Sequence, residues 1–371
     1  MHVRSAPLAV LAAVTLTVAA MLVSCSPKPD IVIGFAASLT GSDYLLGSEG
    51  RNAARLFVRE LNAGGGIEGR KLRLEVRDYA SDNAALPAVL GNLASAGAVA
   101  VVGAYTSSSV DAALPVLEGL GLPLISPAAT ATNLSGKEDL FFRTIMSSER
   151  DPLVLADLMR ERNLGRALVV YSGRNLSYAE AYIAPLRSLI AVVDEISFLS
   201  VGDIDFTRVE RARSGPAGYQ AVVIVASPLD TGTVAQELAT RGLSAPLFIS
   251  GWAGSDELFR AGGSAVDGAL FVHQVDPGDP ALDGFRKRYA EAFSEAPGYG
   301  AIETWDSLLF LAEALRLSIG KGISLREALS SIRSFEGAAG AIAMDAFGDA
   351  HRALYIKEAR GGTMRVLGKA D

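Results

Sequence analysis

The stretch NAGGGIEGR, residues 62–70, decides the fold. Gly64, Gly66 and Gly69 spell G-x-G-x-x-G, the fingerprint of dinucleotide-binding folds. That fingerprint must follow a strand and open a helix, so that phosphate meets the helix N-terminus. Here the order is reversed. Residues 47–63 place Ala54, Phe57, Val58 and Leu61 at helical spacing, with Arg51, Arg55, Arg59 and Glu60 largely off that stripe. The glycines follow this helix and precede an apolar strand that starts at Leu72. Gly64 stands where a C-cap glycine would relieve a left-handed conformation, so the run reads as a cap and a tight turn.

Outward from this point, buried-strand runs alternate with helical stretches twice over. The first series of strands is expected at Ile31–Ala36, Leu72–Asp78, Val99–Gly103 and Leu122–Ser126. The second is expected at Ala167–Tyr171, Ile196–Val201, Ala221–Ala226, Leu247–Ser250 and Ala269–Val275. Most are short, continuous and rich in Val, Ile and Leu, the pattern of parallel strands covered on both faces. Helices are expected at 109–119, 150–163, 178–192, 231–241, 283–294, 303–319 and 324–333. The fold class is therefore α/β with two Rossmann-like lobes. The series breaks at Ile145–Glu149 and again at Gln274–Asp283, where Pro, Gly and Asp accumulate, and more helix follows. The lobes are thus not contiguous in sequence.

The chain of 371 residues is half hydrophobic (50%) and a fifth charged (20%), a globular composition with room for two cores. A net charge of −7 without a basic block speaks against nucleic acid as a partner. The N-terminus carries Arg4, an apolar run from Leu8 to Val23, and small Ser24 before Cys25. Residues 1–24 read as an export signal rather than a permanent span. Cys25 is the only cysteine, which excludes a disulfide framework. Residues 25–30 form a short tether. Leu22-Val23-Ser24-Cys25 resembles the bacterial lipoprotein signal, which implies cleavage before Cys25, a lipid on its thiol and a membrane anchor.

The segment IGFAASLTGSDYLLGSEGRNAARLFVRELNAGGGIEGRKLRLEVRDYASD, Ile33 to Asp82, resembles the start of type I periplasmic binding proteins of the leucine/isoleucine/valine-binding class. GAYTSSSVDAALPVLEGLGLPLISPAAT, Gly103 to Thr130, is a second match, followed by Phe142-Arg143. ETWDSLLFLAEAL at 303–315 is a third. The resemblance implies two lobes with parallel sheets joined by a three-crossing hinge. The first lobe would take 31–146 plus 276–342 and the second 147–275 plus 343–371. It further implies a monomeric substrate-binding lipoprotein outside the cytoplasm that delivers a small molecule to an ABC permease without catalysis or cofactor.

The residues agree on where a ligand belongs. In open α/β sheets ligands collect beyond the carboxyl ends of strands. Thr106, Ser107, Ser108 and Ser109 lie just past one strand and open a helix, offering hydroxyls and backbone N–H groups to an anion. Ala128, Ala129 and Thr130 form a second arm. The resemblance implies that Ser107 holds a ligand carboxylate, Ala128 and Thr130 its carboxylate and amino group, and Tyr105 and Thr106 its side chain. From the second lobe it implies Tyr178, with Tyr182 close enough to confuse the register, and Ser227 or Pro228 where relatives carry an aromatic wall. Trp252 aligns with the glutamate that pairs a ligand ammonium in relatives, so Asp230, Asp256 or Glu303 would have to replace it. Leu46 stands where relatives often use an aromatic residue, and Tyr44 is a further wall for the cleft. Trp252 reads either as core or as a stacking surface. The expected ligands are, in order, a branched-chain or other hydrophobic amino acid, an amide or urea-like compound, and an aromatic carboxylate.

An enzyme fits poorly. No Gly-x-Ser-x-Gly elbow occurs, and His2, His273 and His351 form neither a triad nor a metal cluster with the lone cysteine. Asp78 and Asp306 read as capping or hinge residues. A tethered sensor that reports to a membrane receptor remains the alternative to transport. Asn133-Leu134-Ser135 and Asn175-Leu176-Ser177 match glycosylation acceptors and in a bacterial lipoprotein read as coincidences.

Overall fold

A computed structural model describes residues 28–214 and 218–370; residues 1–24 and Cys25, read above as signal and lipidation site, lie outside them. The first lobe begins with β1 (Ile31–Ala37), α1 (Tyr44–Ala63), β2 (Leu72–Asp78), α2 (Leu86–Ser95), β3 (Ala98–Gly103), α3 (Ser107–Leu120), β4 (Leu124–Ser126) and β5 (Phe141–Arg143). These strands form a five-stranded sheet in the order β2-β1-β3-β4-β5, parallel throughout. The second lobe runs through α4 (Asp151–Glu161), β6 (Arg166–Ser172), α5 (Leu176–Leu189), β7 (Ala191–Phe198), α6 (Phe206–Ser214), β8 (Ala221–Val225), α7 (Pro228–Thr240), β9 (Leu247–Ile249), α8 (Asp256–Gly262) and β10 (Leu270–His273). The chain then returns to the first lobe as α9 (Asp283–Phe293), α10 (Tyr299–Lys321) and α11 (Leu325–Ser331). A small antiparallel sheet follows, built from β11 (Ser334–Gly337), β12 (Gly340–Met344) and β13 (Ala350–His351). Finally β14 (Leu354–Arg360) and β15 (Thr363–Ala370) join the second lobe antiparallel, completing a sheet in the order β15-β14-β10-β9-β8-β6-β7.

The strands form as their composition dictates. All of β8, AVVIV, is buried, because helices cover both faces of a parallel sheet. The glycine run behaves as its polarity requires, with one correction. Gly64 keeps φ −79°, so it is Gly65 (φ +99°) and Gly66 (φ +75°) that enter the left-handed region. Gly65 N–H donates to Asn62 O at 3.2 Å and Gly66 N–H to Leu61 O at 2.8 Å, the paired bonds of a Schellman cap. Ile67 and Arg70 then exchange backbone bonds at 2.9 Å around Glu68 and Gly69, both with positive φ, and β2 follows.

Other differences have local causes. β7 starts at Ala191 rather than Ile196, because α5 ends at Leu189 and β-branched Val192 and Val193 favour the strand. The short β5 and the helices α2, α6 and α8 were not anticipated. The third crossing falls at residues 352–353 rather than between 342 and 343. Ile342, Met344 and Ala350 pack with the first-lobe core, so β12 and β13 stay with that lobe and only β14 leaves it.

The crossings are tied together. Gln274, on the second, accepts Met146 N–H at 2.6 Å and donates to Met146 O at 2.8 Å on the first. Asp306 of α10 pairs with Arg352 of the third at 2.5 Å and accepts Ala338 N–H, so it is a hinge residue. Asp78 caps the turn after β1, accepting from Leu39 N–H, Thr40 Oγ1 and Ala80 N–H.

Candidate functional site

The lobes meet over two adjoining recesses at the carboxyl ends of their parallel strands. The first is walled by Leu46, Tyr105, Ala128, Ile145, Tyr178, Trp252, Val272 and Tyr299, with Thr130, Asp151, Asn175, His273 and Gln274 as its polar groups. The second shares Leu46, Tyr105 and Trp252 with the first and continues past Ser38, Asp43, Thr106, Ser227 and Glu257. Their lining, apolar side chains from both lobes with a few polar groups, is that of a small-molecule site rather than of a surface for a folded partner.

First-lobe groups are held by buried polar bonds. Tyr105 packs its ring against Phe35 and shares a 2.6 Å hydrogen bond with Thr304 Oγ1. A Cβ on Gly50 would stand 1.7 Å from the Tyr105 hydroxyl, so α1 can approach this tyrosine only through a glycine. The loop bearing Ala128 and Thr130 is fixed from below. Fully buried Arg143 of β5 donates to Ala129 O at 3.3 Å and Ala131 O at 3.1 Å while pairing with Asp349 at 2.6 Å. Ser126 Oγ accepts Ala129 N–H at 3.1 Å and donates to Ala104 O.

The second lobe supplies an aromatic wall. Tyr178 meets Trp252 edge-on at 5.9 Å and Tyr182 at 5.7 Å behind it. Tyr299 of α10 crosses the gap, donating to Trp252 O at 3.1 Å and lying 4.9 Å from the His273 ring. Burial pushes His273 down to about 3, with Lys357 adding to the effect, so this imidazole is neutral. Asp151 is the acidic group of the recess. It is buried, its Oδ1 has no hydrogen-bond partner, and burial raises its pKa to about 7 against the pull of Arg150. An unpartnered carboxylate oxygen in an apolar wall is costly unless a donor arrives to meet it.

The lobes are latched at the rim. Ser108 N–H donates to Asn175 Oδ1 at 3.1 Å, Ser177 N–H to Ser108 Oγ at 3.1 Å, and Ser177 Oγ to Asn133 Oδ1 at 3.3 Å. The cleft is therefore closed over the recesses.

Residues 30–363 match the periplasmic binding protein family. The chain belongs to that family. It is 26% identical over 284 residues to the leucine-, isoleucine-, valine-, threonine- and alanine-binding protein of Pseudomonas aeruginosa, covering 73% of this chain and 76% of that protein. In structure it is similar to the branched-chain amino acid transporter substrate-binding protein of Streptococcus pneumoniae in complex with isoleucine, with TM-score 0.82, 24% identity, and 92% and 100% of the two chains covered. It is likewise similar to a solute-binding protein of an ABC transporter from Rhodopseudomonas palustris in complex with 3,4-dihydroxybenzoic acid, with TM-score 0.79, 19% identity, and 92% and 97% covered. The last two likenesses speak to the fold alone.

Within this periplasmic binding protein the sequence-expected residues divide. Leu46, Tyr105, Ala128, Thr130, Tyr178 and Trp252 line the first recess, and Thr106 and Ser227 the second. Ser107 and Ala129 line neither. The Ser107 hydroxyl accepts Ala131 N–H at 3.0 Å, so it braces the loop instead of facing the recess. Ala129 is fully buried beneath that loop. Thr106 and Ser109 close a capping box on each other. The hydroxyls of this run are thus spent within the protein. Tyr44 is exposed and lines a separate groove.

None of Asp230, Asp256 and Glu303 lines either recess. Asp230 pairs with Arg174, and Asp256 sits in the first turn of α8. Glu303 is fully buried with both oxygens unpartnered, and burial pushes its pKa well above the carboxylate range. Sequence reasoning missed Asp151, Asn175, Tyr299 and Asp43. The available signal was position, since Asp151 opens the first helix after a crossing and Asn175 closes the loop after β6.

Proposed function

We propose that this periplasmic binding protein captures a small molecule with a charged or polar head and a largely apolar body, foremost a hydrophobic amino acid, and delivers it to an ABC permease. The observation that carries the reading is Asp151, a buried carboxylate with one unpartnered oxygen, which lines a largely aromatic and aliphatic recess together with Thr130 and Asn175. In this reading Thr130 and the Ala128 carbonyl complete the head-group site with Asp151, and Tyr178, Trp252 and Tyr105, which line the same recess, take the body. Ser107 supports the head group through the loop it braces. Binding, not turnover, is the task, and the latched rim supports capture by lobe closure.

The relative that supports this reading binds leucine, isoleucine, valine, threonine and alanine by name. The aromatic wall of Tyr178 and Trp252 also favours an aromatic carboxylate as the second ligand class. Calorimetry of the purified protein against amino acids, amides and aromatic acids tests both. An amino-acid ligand is expected to lose about tenfold or more in affinity with Thr130→Val or Asp151→Asn, the usual effect of removing a charge-assisted bond. Binding indifferent to both substitutions would sink the site assignment.

The reading includes a signal over residues 1–24 and lipid attachment at Cys25, holding a monomer at a membrane on its extracytoplasmic side. Among the described residues no helix is long and apolar enough to cross a membrane. Mass spectrometry of the mature N-terminal peptide decides this point: an unmodified Cys25 would count against the anchor. Sensing through a membrane receptor is the alternative use of the same closure.

A further inference from the structure

The second recess sets what the far end of the ligand must be. It adjoins the first through the shared walls of Leu46, Tyr105 and Trp252, so a molecule whose head meets Thr130 and Asp151 extends along these side chains towards Asp43. Asp43 is not an ordinary surface carboxylate. Its backbone N–H is fixed by Ser81 Oγ at 3.1 Å, and its Oδ2 accepts the Ser42 hydroxyl at 3.2 Å. Its Oδ1 is shielded from solvent and has no partner, although the residue lines an open recess. Burial raises the Asp43 pKa, and Arg174 opposes that rise.

The surrounding charge selects the sign of the missing partner. Glu257 lines the same recess. Asp230 stands behind Ser227, whose hydroxyl donates to Asp230 Oδ2 at 3.0 Å. Arg174 is the cation whose charge acts on Asp43; it pairs with Asp230 and donates to Leu199 O, and its Nε is left without a partner. Asp43 and Glu257 thus line this recess, and no Lys or Arg is among its lining residues. An anionic or purely acceptor tip would meet like charge here, and an aliphatic tip would leave Oδ1 buried and unmet.

We propose that the second recess is a subsite for a nitrogen hydrogen-bond donor at the distal end of the ligand, a terminal ammonium or guanidinium foremost, received by Asp43 Oδ1. The inference rests on the head-group site assigned above and, among its polar-headed ligands with an apolar body, ranks amino acids with an apolar middle and a donor tip above the purely hydrophobic ones. Trp252, Tyr105 and Leu46 pack the methylene stem, as long cationic side chains pack elsewhere.

The test compares norleucine with lysine by calorimetry at physiological salt, which screens the general attraction of an acidic protein for cations. Lysine is expected to bind about tenfold tighter than norleucine or better, and Asp43→Asn to erase that preference while leaving norleucine within about twofold, the scale of one charge-assisted bond. Norleucine binding as tightly as lysine, or an unchanged ratio in Asp43→Asn, would overturn the subsite. Norleucine binding that depends on Thr130 and Asp151 without any gain for lysine overturns only this inference. Failure of both, and of every amino acid in the wider panel, overturns it together with the head-group site.

Discussion

Asp151 couples the site to pH. Its folded pKa is raised to about 7 by burial, from an unfolded value of about 4, so below about pH 7 the protonated form is favoured in the empty protein. Its contribution to stability is fully present below about pH 4 and is lost as pH rises through about 7. Ligand binding runs the other way. An ammonium needs the carboxylate ionised, so affinity is expected to rise between pH 5 and about 8 and then level off, with a proton released on binding near neutrality. Calorimetry in buffers of different ionisation enthalpy reads that proton directly. In Asp151→Asn the proton release and the pH slope should both vanish; a slope that survives would assign the titration elsewhere. This residue was illegible in the sequence because an aspartate followed by proline at a helix start is ordinarily a solvated cap. Only the tertiary fold brings Tyr178 and Tyr182 near enough to feel its charge. Tyr105, Thr130 and Tyr178, which the family resemblance pointed to, do line the first recess, and Tyr105 and Thr130 follow buried strands, where ligands gather in α/β sheets.

At the scale of the element, the cap between α1 and β2 separates two effects of a left-handed glycine. A Cβ on Gly65 would meet nothing within 4 Å, whereas one on Gly66 would lie 2.0 Å from Arg70 O. Gly65→Ala is therefore expected to lower stability by only about 1–2 kcal/mol, the backbone strain alone. Gly66→Ala should lower it by clearly more, since the turn at Arg70 must move as well. Urea denaturation of the two variants checks the order, and equal losses would contradict it. The polarity of this turn was readable because capping chemistry is local. Parallel strands such as β8 were readable because burial on both faces leaves an uninterrupted apolar run. The antiparallel hairpin of β14 and β15 was not read, because β14 buries Leu354, Lys357 and Ala359 without a regular period and the edge strand β15 buries none of its residues. Its turn, Gly361-Gly362, with both φ positive, was the one available signal. β5 is too short, at three residues, for any period to show.

For the whole molecule, the latch at the rim predicts how closure contributes to affinity. Ser108 and Asn133 line neither recess, yet both accept hydrogen bonds from Ser177 across the gap. Ser108→Ala combined with Asn133→Ala is expected to weaken every ligand by roughly thirtyfold, from about 1 kcal/mol for each of the two lost bonds, without changing their order. X-ray scattering of the empty protein should show a larger radius of gyration in the double variant, and unchanged affinity and radius would make the latch irrelevant. The two-lobe plan was legible because its strands come in two series, while the third crossing was misplaced because β12 and β13 look like ordinary connecting chain. That crossing has a further consequence. β10 finds its antiparallel neighbour only in β14, so the second lobe is built from segments more than eighty residues apart, a separation spanned by the whole of α9 to β13. In a chain threaded outward from its N-terminus, the first sheet can assemble early, but the second waits with an open edge at β10 until the final strands emerge. The order of emergence thus makes the lobe carrying Tyr178 and Trp252 the last to mature and the one most in need of protection from intermolecular strand pairing.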